Sequence, residues 1–173
     1  MTKLKINKEF AMRHGFALAV FLGLGAWFAA DAFVRYPATP ARDLYAEIER
    51  SAPPETMDAA ALDAFKAQKT ATQRMLAFAT LLAGAWVAAR LLAIATFKFS
   101  FDAGGFETRG KRFAWSDIAS VDAKDWEKKG ILRIAAATGE KFALDAWHHA
   151  GVKEFKEEMD KAMENANERQ KNS

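Results

Sequence analysis

Two neighbouring histidines come closest to a pair of metal ligands in this sequence. His148 and His149 are adjacent, and adjacent side chains on an extended segment point in opposite directions. The chain has no cysteine and no His-Glu-x-x-His spacing, so neither a thiolate site nor a zinc-binding helix is indicated. The sequence therefore predicts no metal site and no cofactor.

Carboxylates that could serve as acid and base are concentrated in one short stretch that must turn between two predicted strands. A solvated turn explains this charge without catalysis. The glycines of "DAGG" lack the lysine and the following helix of a phosphate-binding loop. With three histidines in the chain, no Ser-His-Asp arrangement can be singled out. We therefore expect no catalytic residue and no enzyme activity, and interpret the stretch as a turn containing Asp117, Asp122, Asp125 and Glu127.

Two basic groups remain as candidates for binding, and both fall at predicted turns. Anionic lipids attract lysine and arginine at a membrane surface by about 1 kcal/mol each. Acidic residues beside both groups leave an ordinary charged surface as the alternative. The net charge of +3 lies mostly before residue 15, which argues against a nucleic-acid partner. The candidate residues for contact with lipid or a partner are Arg109, Lys111, Arg112, Lys128 and Lys129.

The elements that would position these residues begin with two apolar blocks. Residues 15–34 and 75–97 each contain a single charged residue, Asp31 in the first block and Arg90 in the second. A bilayer core requires about 20 helical residues, and backbone groups in lipid must be paired within the helix. The sequence therefore predicts two transmembrane helices. For the first block, a cleaved signal peptide ending near "FAADA" is the alternative.

Asp31 and Arg90 could indicate an ion or proton pathway, because charges inside a span are often functional. In an antiparallel hairpin, however, they would lie at different depths, separated by roughly 14 Å at about 1.5 Å per helical residue. We expect Arg90 to reach the cytoplasmic surface, and Asp31 to lie near the opposite one. They should not pair, and a transporter is the weaker interpretation.

The flanking charges predict the orientation of the hairpin. Residues 1–14 contain Lys3, Lys5, Lys8 and Arg13 against Glu9, which favours a cytoplasmic N-terminus. The segment 35–74 carries six Lys/Arg and six Asp/Glu, so it opposes this orientation only weakly. Two spans return the chain to its starting side. We expect a bacterial inner-membrane protein with both termini in the cytoplasm.

The segment 35–74 is predicted to be helical and extracytoplasmic. Thr39 and Pro40 suggest an N-cap and first turn, and "SAPP" then interrupts the helix. From Glu55 the helical spacing continues into the second span, which should extend beyond the membrane. Local packing is one explanation of the apolar residues, and docking of a partner is the other. The candidate docking face contains Leu44, Ile48, Leu62 and Phe65.

After residue 97 the apolar period changes from helical to two. "FKFSF", "FETRGKRFAW", "ILRIAAA" and "FALDAW" alternate, with turn signals at "DAGG", Gly110 and "TGEK". This pattern predicts an antiparallel sheet or small roll over residues 98–165. Its last part is an amphipathic helix that should cover the sheet, and residues 166–173 form a polar tail. The predicted core contains Trp115, Ile118, Leu132, Phe142 and Phe155.

The order of these signals carries a family resemblance. Trp115, Ser116, Asp117 and Ile118 precede Val121, and Gly139 lies in a later hairpin before the terminal helix. Residues 97–165 thereby resemble the bacterial pleckstrin-homology-like domains of small membrane proteins. The resemblance implies a partly open roll capped by a helix, used for protein contact or assembly, with no catalytic residues. The stretch is short for that family, so one strand is expected to be missing or hidden.

These features favour a membrane helical hairpin joined to a cytoplasmic α+β domain. We expect a membrane-anchored interaction or scaffold protein, with membrane lipids and a protein as its partners. The alternative is an accessory or assembly subunit of a larger membrane complex, in which the spans form the interface. An enzyme or transporter is the least favoured class.

Overall fold

A computed structural model describes residues 1–171, and the chain divides into two compact units. One unit comprises His14–Ala89. The other combines Met1–Arg13 with the chain from Arg90 onwards. The N-terminal segment, which the sequence presents as a basic flank of the first helix, therefore belongs to the same unit as the sheet domain.

Two long apolar helices account for most of the first unit. Helix α1 (Lys8–Ala30) continues through a π-helical turn, Asp31–Arg35, into the short helix α2 (Tyr36–Ala38). The second apolar helix begins within the predicted loop, so it is much longer than its apolar block. It ends close to residue 97, as expected. Both helices are long and apolar enough to span a membrane. After α3 (Ala41–Glu49), the second apolar helix is α4 (Ala59–Ala95).

Asp31 and Arg90, the two charged residues of the apolar blocks, each have a polar neighbour within their own unit. Asp31 Oδ1 lies 3.3 Å from Arg35 Nε, one helical turn later in the chain. Arg90 Nη2 lies 3.4 Å from His148 Nε2 in the sheet-domain unit.

The loop helices pack on the start of α4. Lys66 Nζ donates hydrogen bonds to the backbone carbonyls of Pro37 and Thr39, at 2.9 and 2.7 Å. The proposed Thr39 N-cap is wrong: Pro40 occupies the N-cap position of α3, and the Thr39 hydroxyl instead donates to the Arg35 carbonyl. Thr39 thus belongs to the end of the preceding helix, because its hydroxyl reaches back one turn.

The α+β class and the antiparallel strands are confirmed. A four-stranded antiparallel sheet has the order β1-β3-β4-β5, and a three-stranded sheet has the order β6-β7-β8. A third pairing joins β2 to β9. The strands are β1 (Thr2–Lys3), β2 (Lys5–Ile6), β3 (Phe99–Asp102), β4 (Gly105–Thr108), β5 (Lys111–Ala114), β6 (Ile118–Asp122), β7 (Ile131–Ala136), β8 (Lys141–Asp145) and β9 (His149–Ala150).

The N-terminal strands were not predicted, and they complete the sheets. Thr2 pairs with Phe101 and Lys3 with Ser100, while Lys5 pairs with Ala150. Between the two strands, the Leu4 amide donates to the Phe99 carbonyl at 3.0 Å. Strands that precede the first apolar helix are therefore bonded to strands that follow the second.

One aromatic core lies between the sheets and the last helix. Helix α5 (Trp126–Lys129) connects β6 to β7, and α6 (Val152–Lys171) closes the domain. Of the predicted core, Leu132 and Phe155 are fully buried, while the other three side chains are partly buried against them. Residues 166–171 of the predicted polar tail continue α6, and residues 172–173 lie outside the described residues.

The hairpin between β3 and β4 requires a glycine. Gly105 has a φ of +146°, and a Cβ at this position would overlap the carbonyl oxygen of Phe113 on β5. The absence of a side chain lets β4 and β5 approach each other at their paired residues Gly105 and Ala114. This approach brings Phe106 beside Phe113, with ring centroids 5.1 Å apart.

Candidate functional site

The five predicted basic residues differ in their neighbours, and those that form ion pairs do so with separate carboxylates. Lys111 Nζ lies 2.7 Å from Glu140 Oε1, and Arg112 Nη2 lies 2.7 Å from Asp102 Oδ1. Lys129 is 3.4 Å from an oxygen of Asp125, one turn earlier. Lys128 is exposed on α5 beside it. Three of the five charges are thus opposed by a carboxylate.

The acidic partners titrate as members of ion pairs. The hydrogen bond from Arg112 lowers the pKa of Asp102, and the one from Lys111 lowers the pKa of Glu140. Arg133 has the same effect on the pKa of Asp125. These groups are solvent-exposed, where such pairs contribute little to stability. These ion pairs make the paired cations less available to an external anion.

Arg109 has different neighbours from the other candidates. It lines an open cleft of about 810 Å³ together with Lys3, Lys98 and one acidic residue, Glu107. We call this surface the basic cleft and define it by Lys3, Lys98 and Arg109. These three side chains form no salt bridge in the part of the chain that the structure describes.

The alternation of the first sheet explains how the basic cleft forms. Phe99 and Phe101 are buried, so the residues between and before them, Ser100 and Lys98, lie on the opposite face of β3. Lys3 is directly paired with Ser100 and lies on that same outer face. Arg109 follows Thr108, the partner of Phe99, and therefore emerges beside Lys98.

Arg109 is held in an unusual backbone conformation. Its φ is +52° and that of the following Gly110 is +74°, so the two residues form the tight turn between β4 and β5. A side chain at such a turn projects from the end of the hairpin. A smaller cleft of about 270 Å³ connects Arg109 and Lys98 with Ala93, Thr96 and Phe97, at the end of α4.

Lys3 and Lys98 are not among the binding residues predicted from the sequence. Lys98 was detectable, because it is the first charged residue after the second apolar block. A two-residue strand is too short to show an apolar period. In the sequence, Lys3 is therefore visible only as one residue of a basic flank. The arrangement as a whole presents three cations and one carboxylate to solvent and can bind an anion.

The two histidines have structural surroundings. His148 Nδ1 is 3.3 Å from Asp145 Oδ2, and its ring contacts Phe10 with centroids 4.8 Å apart. His149 is buried beside Phe97, and burial lowers its pKa. Within the described residues, no group of three or more His, Cys, Asp or Glu side chains is arranged to hold a metal ion.

The predicted turn carboxylates also have structural partners. Asp117 Oδ2 accepts a hydrogen bond from the Ala114 amide at 2.8 Å, at the short helical turn between β5 and β6. Asp122 and Asp125 both lie beside Arg133, at 3.7 and 2.8 Å. Glu127 is exposed on α5. These contacts hold the ends of β6 and β7 in place.

The predicted docking face of the loop is mostly covered within its own unit. Leu44 is 0% exposed and Leu62 is 9% exposed. Ile48 and Phe65 are half-buried, and the Phe65 ring lies 4.8 Å from that of Tyr45. Only Ile48 and Phe65 therefore retain appreciable area for a partner.

Comparison with known proteins finds no matching family model, no matching curated protein and no matching solved structure.

Proposed function

We propose that this chain is a membrane-anchored interaction or scaffold protein of the bacterial inner membrane, with its sheet domain and both termini in the cytoplasm. The observation that carries the proposal is the pairing of β1 with β3 and of β2 with β9. Each apolar helix is joined directly to this one sheet domain. Two helices that leave and re-enter the same domain fit a hairpin that fixes the domain at a membrane surface.

The apolar surface of the two helices supports insertion in a membrane. Only 17% of the most apolar window of each helix is buried. Trp27 and Trp86 are each 63% exposed, and Phe16 and Phe78 are more exposed still. Apolar surface in water costs about 25 cal/mol per Å², so two such helices would be unfavourable in solution. A bilayer removes this cost.

The pairing of the N-terminal strands constrains the membrane topology independently of the distribution of Lys and Arg residues. Residues paired in one sheet must lie on one side of a membrane, so the chain before α1 and the chain after α4 are on the same side. The basic residues around the start of α1, including Lys8 and Arg13, favour the cytoplasm as that side.

A pleckstrin-homology-like roll remains our proposal for the domain. Two antiparallel sheets and a closing helix agree with the arrangement that the resemblance implies. Strand β1 is an additional strand from outside residues 97–165, as a domain that is short for its family would need. Family members use this domain for protein contact, which is the basis for proposing a protein partner.

The topology gives a direct test. Single cysteines at residues 2, 56 and 166 of the cysteine-free chain are to be labelled with a membrane-impermeant reagent in right-side-out and inside-out vesicles. We expect labelling of residue 56 only in right-side-out vesicles, and of residues 2 and 166 only in inside-out vesicles. Labelling of residues 2 and 166 on opposite sides would contradict the hairpin, as would removal of the N-terminus by a signal peptidase.

The scaffold function is tested by measuring which part of the chain retains a partner. Membranes are cross-linked, extracted in mild detergent and sized, with the wild type compared with Phe155→Ala, which removes the fully buried ring at the centre of the sheet-domain core. We expect a stoichiometric partner that is lost in the variant, while the variant itself remains in the membrane. Met163→Ala on the same helix, at a position 37% exposed, is the matched control and should retain the partner.

The accessory-subunit alternative predicts the opposite dependence. The exposed apolar sides of α1 and α4 could contact other membrane helices, and this contact would not require a folded sheet domain. Retention of the partner by Phe155→Ala would therefore favour the alternative over the scaffold. A wild-type chain that elutes alone after cross-linking contradicts both.

A further inference from the structure

We propose that the basic cleft binds the phosphate headgroup of an anionic phospholipid in the leaflet where α4 ends. The inference rests on the proposed function, because it requires α4 to span a bilayer. Of the five basic residues predicted from the sequence it keeps only Arg109, and it adds Lys3 and Lys98. The binding residues are Lys3, Lys98 and Arg109.

The charge balance distinguishes this cleft from the other basic residues. Its three cations face one carboxylate, that of Glu107. Lys111, Arg112 and Lys129 each have a carboxylate within 3.4 Å. An anion at the basic cleft does not have to displace an existing partner from Lys3 or Lys98. Arg109 is also within electrostatic range of Glu140, but that carboxylate is bonded to Lys111.

Chain geometry places the cleft at headgroup depth. An extended chain advances by at most about 3.6 Å per residue, so Lys98 lies within about 11 Å of Ala95, the last residue of α4. The headgroup layer is roughly 5–8 Å thick on each side of the bilayer core. Phe97, between the helix end and Lys98, is half-buried and lines the same cleft. Because this distance is an upper bound and a lysine side chain is long and flexible, the ammonium group of Lys98 can reach the lipid phosphates.

The backbone around the cleft is fixed before any ligand binds. The Thr108 hydroxyl, on a residue that is 2% exposed, donates to the Lys98 carbonyl at 3.2 Å. This bond joins the residue before Arg109 to Lys98 itself. On the other side, the Leu4 amide bonds to the Phe99 carbonyl and positions Lys3 next to β3. Preorganised donors bind an anion without an ordering cost for the backbone.

The position also decides between a lipid and an acidic protein. The smaller cleft shares Lys98 and Arg109 with Ala93 and Thr96, so the cations border the end of the apolar helix. At that location a phospholipid can place its phosphate on the cations while its acyl chains lie along the apolar helix. A soluble acidic segment would gain only the first of these contacts.

The test uses the full chain in detergent micelles and measures the binding of added phospholipid by native mass spectrometry. We expect phosphatidylglycerol to bind more tightly than phosphatidylcholine. In the double variant Lys98→Gln, Arg109→Gln, phosphatidylglycerol should bind about 25-fold more weakly, since each cation near an anionic surface contributes about fivefold. The difference should shrink as salt is raised. The matched control is Lys141→Gln, Lys161→Gln, which removes the same charge elsewhere in the domain and should bind like the wild type.

Three outcomes would overturn the inference. They are equal binding of the two lipids, an equal loss in the control variant, and full displacement of phosphatidylglycerol by millimolar inorganic phosphate, which would indicate a site for a free anion. Release of the wild-type chain from membranes by alkaline carbonate would instead contradict the proposed function. A chain that resists carbonate but does not distinguish the lipids leaves the membrane anchor in place and removes only the headgroup site.

Discussion

Phe155→Ala should lower the free energy of unfolding of the sheet domain by about 3–5 kcal/mol, the usual cost of removing a buried phenylalanine ring. The Phe155 side chain is 0% exposed. Its ring centroid lies 5.1 Å from that of Phe99 and 5.4 Å from that of Phe101, both in edge-to-face geometry. It also packs on Phe106 and Trp115. The cavity left by alanine would adjoin four aromatic rings that cannot all move to fill it.

Hydrogen–deuterium exchange of the full chain in detergent measures this loss locally. Amides of β7 (Ile131–Ala136) should exchange much faster in the variant, while those of α1 remain protected. Met163→Ala on the same helix replaces a side chain that is 37% exposed. It should lower the free energy of opening measured at the β7 amides by less than about 1 kcal/mol. Equal effects of the two substitutions would mean that α6 does not cover the core at Phe155.

Leu4→Asp should unfold the same domain, although Leu4 precedes the first apolar helix. Leu4 is 7% exposed and belongs to the core cluster. A buried leucine contributes about 2–5 kcal/mol relative to alanine, and a carboxylate in its place must also lose its hydration. Both costs act against a domain of ordinary stability, about 5–15 kcal/mol. We therefore expect β1 and β2 to separate from their partners.

The matched control is Lys5→Asp at the next, exposed position. It changes the net charge by more than Leu4→Asp does, so a merely electrostatic effect would be larger in the control. Exchange should increase in β3 (Phe99–Asp102) and β9 (His149–Ala150) for Leu4→Asp and remain near wild type for Lys5→Asp. Unchanged protection of β3 in Leu4→Asp would refute the pairing of the N-terminal segment with the sheet domain.

Elements with local signals are predictable from the sequence. The long apolar blocks predict α1 and α4 because about 20 apolar residues match a bilayer core, in which a helix pairs its own backbone groups. Alternation around Gly110 predicts β4 and β5, since successive side chains of a strand point to opposite faces. The same alternation identified Leu132 and Ile134 on the buried side of β7. The 3-4 spacing of Val152, Phe155, Met159 and Met163 likewise predicts the apolar stripe of α6, of which the first three are buried and Met163 is 37% exposed.

The combination of distant segments cannot be predicted from local patterns and is seen first in the folded chain. Thr2–Lys3 and Lys5–Ile6 are each too short to show a period, and their lysines resemble an ordinary basic flank. Strand β1 pairs with β3, about 100 residues later, and β2 pairs with β9, about 145 residues later, so local patterning carries no signal for either pairing. The same applies to charge. Sheet register places Arg112 beside Asp102, and turn geometry places Arg109 beside Lys98. Neither neighbour can be read from the linear order of the residues.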